Sequence, residues 1–177
     1  MELKNILSAK RTAVLKKWFD VILESYPPNT AEFLRTQKDP FANPVGHTIF
    51  EGMEGIFDEL LEGVDSHKAS VFLDNIIRVR AIQDFTPSQA VLFVFLLKKV
   101  IEEEVGEELR KEGLSEELTL LNSRIDKLAL LAFDIYMKCR EKLYELRAKE
   151  LENRTFRLLK KANLVYEIQE QEAESRN

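Results

Sequence analysis

Few residues in this chain offer chemistry beyond packing: two histidines, one cysteine and some paired charges. His47 precedes Glu51 by four residues, a spacing that sets imidazole and carboxylate one helical turn apart, where they could share a metal ion or a solvated face. The Glu-x-x-His arrangement of metal sites in helical bundles is missing, because Pro44 and Val64 stand three residues before His47 and His67. A haem ligand must enter an apolar pocket. Stepping about 100° per residue puts Val45, Ile49, Met53, Ile56, Phe57 and Leu60 on one side of a helix, and His47, Glu51, Glu54 and Asp58 on the other. His67 falls in the polar first turn of the next helix. Cys139 occupies an apolar-stripe position with no histidine near it in sequence and reads as a small core residue. No phosphate-cradling glycine loop, nucleophile elbow or paired-cysteine site occurs. The expectation is no metal, no cofactor, no catalytic residue and no enzyme.

The segment NIIRVRAIQDF, residues 75–85, holds the other cluster. Asp74 with Arg78 and Arg80 with Asp84 are oppositely charged pairs four residues apart. That spacing predicts solvent-facing helix pairs worth ~0.3–0.5 kcal/mol each. The same arginines lie beside a sharply specified helix junction, so Arg78, Arg80 and Asp84, together with His47, are the candidates for contact with an effector or partner.

All of these residues belong to a helical pattern. Apolar spacings of three and four recur throughout, and strand-like alternation is nearly absent. Val14, Leu15, Trp18, Phe19 and Ile22 form one stripe that ends at Tyr26-Pro27-Pro28, where proline bars helical geometry at the residue before it. A short helix over residues 29–36 follows, with Phe33 and Leu34 as buried anchors. After the Asp39-Pro40 turn, Asn43 caps a helix with Pro44 at its first position, and Gly63 stops it. Asp65 or Ser66 starts a helix that reaches about Gln83. Thr86-Pro87-Ser88-Gln89 is a capping box opening a central helix, whose AVLFVFLL run (residues 90–97) is apolar all round and predicted to be buried on most sides. Gly106 and Gly113 bracket a charged continuation, and Ser115 caps the last helix.

From Leu118 onward there is neither proline nor glycine, so that helix can run about fifty residues. Leu121, Leu128, Ile135 and Leu146 lie along an apolar stripe too long for one small domain to cover, which makes them the dimer-interface candidates. The charged run at residues 147–154 precedes apolar positions at Phe156, Leu159, Val165 and Ile168. The expected organisation is an all-α domain over residues 1–146 and a helical extension, a candidate coiled coil, over 147–177.

Composition narrows the function class. At 45% apolar with eleven phenylalanines the chain can build a sizeable core, and a net charge of −5 gives no reason to bind nucleic acid or an anionic membrane. The longest apolar run is far short of the ~20 residues of a membrane span. The N-terminus lacks the apolar stretch of a secretory signal, and the single cysteine rules out an intramolecular disulfide. A cytoplasmic protein is expected.

The segments ESYPPNTAEFL, QKDPFANPVGHTIFEGMEGIFDELLEG and RVRAIQDFTPSQAVLFVFLLKKVIEEE resemble, in matching order over residues 6–108, the N-terminal domain of RsbRD-type RsbT co-antagonist proteins. The resemblance implies a globin-like, dimeric, haem-free input domain of the RsbR stressosome kind. Such domains normally precede a STAS domain. This sequence ends near where one would begin, so a stand-alone input module is expected. The family supplies no catalytic residue to carry over. The functional expectation is a non-enzymatic sensor or adaptor that forms a homodimer and signals to an unidentified regulatory protein. The alternative is a binder of a small apolar ligand or gas in a buried helical pocket.

Overall fold

Proline placement divides the chain as the sequence predicts. The computed structural model describes residues 2–63 and 66–162. Its helices are α1 (Leu3–Ala9), α2 (Arg11–Leu23), α3 (Pro28–Thr36), α4 (Pro44–Glu62), α5 (Ser66–Ile82), α6 (Pro87–Lys111) and α7 (Ser115–Lys161), and no strand occurs among the described residues. The fold is all-α. Two units divide after Cys139; from Arg140 to Ala162 no side chain is buried. The expected cap at Asp65 or Ser66 and the apolar positions Val165 and Ile168 lie outside the described residues or side chains.

In the first unit α2 packs on α6 and α4 packs on α5. Every residue of the α2 stripe is buried, and Trp18, fully enclosed, donates its indole N–H to the Phe93 carbonyl at 2.7 Å while lying over the Phe93 ring. Burying side chains of this size supplies ~1.5–3 kcal/mol each. The glycines of α4, which look like punctuation in the sequence, sit inside the helix. A Cβ on Gly55 would stand 2.4 Å from the Phe72 ring, and one on Gly52 would stand 2.8 Å from Ile76. They let α5 approach closely. Gly63 does end α4, in the left-handed conformation (φ 114°) that favours glycine.

The charged stretch past Gly106 continues α6 to Lys111, with Gly106 buried in the helix interior, and the run 90–97 is buried on most sides, only Leu92 and Phe95 being exposed. Two expectations about the helices need correction. Phe33 is 47% exposed, so of the two expected anchors of α3 only Leu34 is buried, together with Ala31. Ser115 is the first residue of α7 rather than the residue before it. The short helix α1, which buries Ile6 and Leu7, left no clear periodic signal of its own.

The capping box is present: the Gln89 N–H donates to Thr86 Oγ1 at 3.4 Å, and the Thr86 N–H donates to Gln89 Oε1 at 3.0 Å. Thr86→Ala is expected to cost ~0.5–2 kcal/mol, read as a lower denaturant midpoint with unchanged slope. An unchanged midpoint would show that Thr86 carries no capping energy.

Candidate functional site

His47 points away from the core, as its helical phase requires. Its side chain is 46% exposed and Nε2 lies 3.1 Å from Glu51 Oε1, one turn along α4. No group of three or more potential metal-binding side chains occurs among the described residues. His47 does, however, lie on a cleft of about 500 Å³ between α2, α3 and the start of α4.

The cleft has an apolar floor and a charged rim. Leu15 and Phe19 of α2 and Leu34 of α3 form the floor with half-buried Phe50, whose ring meets Phe19 edge-on at 5.5 Å. Asn43 builds one end. Its side-chain amide donates to the carbonyls of Leu34 and Gln37, and its Oδ1 accepts the Gly46 N–H at 2.9 Å. One buried amide therefore ties the end of α3 to the start of α4. Gly46 is required there, since a Cβ would fall 2.4 Å from the Asn43 amide. On the rim, Arg11 pairs with Asp58 and Glu54, and its guanidinium is held above its ordinary pKa chiefly by the hydrogen bond to Asp58. Arg35 pairs with Asp20 at 2.8 Å. Lys16 and Lys38 line the same cleft with no ion pair among the described residues.

The arginine cluster divides. Arg78 makes the predicted surface pair with Asp74, which holds its guanidinium above the ordinary range. Arg80 does not make the predicted pair. It is 1% exposed, donates to Ser25 Oγ and the Gln89 carbonyl, and lies 4.1 Å from the Phe85 ring centre. Its Nε and Nη1 make no hydrogen bond among the described residues. Burial lowers its pKa from the usual value, against the opposing influence of Tyr26. The reason is geometric. Helix α5 ends at Ile82, and Asp84 lies past that end in a left-handed conformation (φ 59°), so the one-turn spacing that would pair it with Arg80 does not exist. Arg80 turns inward and fastens the end of α2 to the α5–α6 corner. Tyr136 of α7 donates its hydroxyl to the Phe85 carbonyl in that same corner. Cys139 is half-buried, and burial pushes its thiol up.

The dimer-interface candidates also divide. Leu121, Leu128 and Ile135 are buried in the core of their own domain, so they have no surface left to offer a partner; Leu146 is exposed. The stripe read from the sequence is the one that α7 spends on this chain's own fold. In the first unit the exposed apolar residues Leu130, Phe133 and Met137 recur at spacings of three and four on α7. Lys98 of α6 bonds Asp126 of α7 at 2.6 Å, and Leu92 and Phe95 are exposed on α6. In the second unit Tyr144, Leu151 and Leu158 are exposed at seven-residue spacing.

A family model described as the N-terminal domain of the RsbT co-antagonist protein RsbRD matches residues 12–151, most of the chain. The chain belongs to this family. No curated protein and no solved structure matches it significantly. The RsbRD N-terminal family is regulatory rather than catalytic. The match takes in the α5–α6 corner and every residue that lines the cleft except Arg11, and it stops within α7 before Leu158.

For this RsbRD-type domain, mixing with haemin is expected to give no histidine-ligated absorption band, because His47 Nε2 is engaged with Glu51 on the solvent side. A stoichiometric band that His47→Ala abolishes would overturn this. The sequence reading found His47 but missed Arg11, Lys16, Arg35 and Lys38, which come from three segments that only the fold brings to one cleft. The one signal available was the spacing Leu15, Lys16, Phe19, Asp20, which pairs apolar and charged residues at the edge of the α2 stripe.

Proposed function

We propose that this chain is a non-enzymatic regulatory input domain that acts as a homodimer and passes its state to a partner protein. Family membership supports the regulatory part. The observation that carries the dimer is the exposed apolar face of Leu130, Phe133 and Met137 on α7, since exposed apolar faces of this kind mark interaction surfaces. A twofold axis suits the face, because one self-complementary patch then covers itself. The partner would read Tyr144, Leu151 and Leu158, a heptad run too short of apolar neighbours to form a strong seam alone. A globin-like arrangement without haem belongs to the same reading, with the family as its support. No helix of the described residues is long and apolar enough to cross a membrane.

The test uses Leu130→Cys, on the face assigned to the dimer, in a Cys139→Ser background. In a parallel dimer the two introduced thiols face each other across the axis and oxidise readily to an intermolecular disulfide. A protein that stays monomeric by sedimentation at tens of micromolar, and forms no such disulfide, would refute the dimer.

A further inference from the structure

We infer that the cleft between α2, α3 and α4 is a binding site for a small amphiphilic carboxylate, an acid with one anionic head and an apolar tail. At about 500 Å³ it falls within the ~300–1,000 Å³ usual for small-molecule sites. The floor of Leu15, Phe19, Leu34 and Phe50 offers an apolar surface for a tail.

Charge selects the head. Arg11, Lys16, Arg35 and Lys38 line the cleft, and the carboxylates of Asp20, Glu54 and Asp58 are taken up by the two arginines. Of the residues that line the cleft, four are cations and two, Asp20 and Glu54, are carboxylates, in a chain whose net charge is −5. Lys16 and Lys38 are the groups left to receive an anion. Two helices, α2 and α4, begin at the cleft with no acidic residue in their first turns, so their N-terminal ends add to the positive potential. The negative end of α3 is quenched by the Asn43 amide, which takes its terminal carbonyls. A neutral apolar ligand would leave both lysines unused, and a purely polar anion would leave the apolar floor wet.

That such a ligand would be the regulatory input rests on the function proposed above; the binding itself does not. Decanoate, 1-decanol and acetate titrated calorimetrically into the full chain separate the contributions of tail and head. Decanoate should bind saturably, one per chain, with decanol weaker by about tenfold, the usual worth of one charge-assisted hydrogen bond, and acetate undetectable. Lys16→Glu with Lys38→Glu should weaken decanoate at least tenfold while leaving decanol binding and the thermal midpoint unchanged. Phe50→Gln should weaken both ligands. Absence of saturable decanoate binding, or binding that the double lysine change leaves intact, overturns the site. Sedimentation of the same samples reads the dimer separately, so a failed ligand leaves that reading standing and a monomeric protein leaves the ligand standing.

Discussion

Trp18→Ala should lower the unfolding free energy by ~3–5 kcal/mol, a large part of the ~5–15 kcal/mol that holds a typical domain together. Trp18 is fully buried in α2 and meets α6 in two ways, by stacking on the Phe93 ring and by donating its indole N–H to the Phe93 carbonyl. Removing it opens a cavity between the two helices that organise the first unit and leaves nearby apolar side chains without contacts. Trp18→Phe separates the two contributions, since it keeps most of the volume and loses the hydrogen bond. It should cost clearly less, ~1–2 kcal/mol. Denaturant unfolding followed by circular dichroism checks both, because Trp18 is the only tryptophan and its fluorescence disappears with it. Equal losses for the two variants would show that the cavity is filled by relaxation and that the N–H bond carries the effect.

Phe133→Glu should weaken self-association by about a thousandfold. An interface anchor turned into a charge costs ~2 kcal/mol, and twofold symmetry presents every substitution twice. Leu130→Glu, on the same exposed face, should act in the same direction. Both variants should keep the helical signal and thermal midpoint of the parent, because these side chains contribute little to the monomer; Leu130 is 67% exposed. Leu128→Glu gives the contrast. Only two residues away, Leu128 is 1% exposed, and a carboxylate there enters the core without a partner. That change should destabilise the fold by on the order of 3–5 kcal/mol whatever the oligomeric state. Sedimentation and thermal unfolding of the three variants test the assignment of the two faces of α7. A Phe133→Glu protein that remains dimeric at micromolar concentration would place the interface elsewhere.

Much of the architecture is local and therefore legible in the sequence. Pro44 after Asn43 and the Thr86-Pro87-Ser88-Gln89 box set helix starts through hydrogen bonds that span only three residues. The phase of His47 follows from helical period alone, since the apolar face of α4 already fixes which way its polar residues point. The all-α class and the family follow from the same extended patterns.

Tertiary structure decided what period could not. An apolar stripe says that something covers it, not what does. Leu121, Leu128 and Ile135 are covered by their own domain, whereas Leu130, Phe133 and Met137, weaker as a pattern, are exposed. Arg80 looks like a surface pair because a helix is assumed to continue to Asp84. Once α5 ends at Ile82, the arginine folds inward onto Phe85, Ser25 and Gln89, three places that sequence distance separates and packing joins. The cleft is non-local in the same way. Lys16 and Lys38 are ordinary surface lysines in the sequence, and only the crossing of α2, α3 and α4, fastened by the buried amide of Asn43, sets them around one apolar floor.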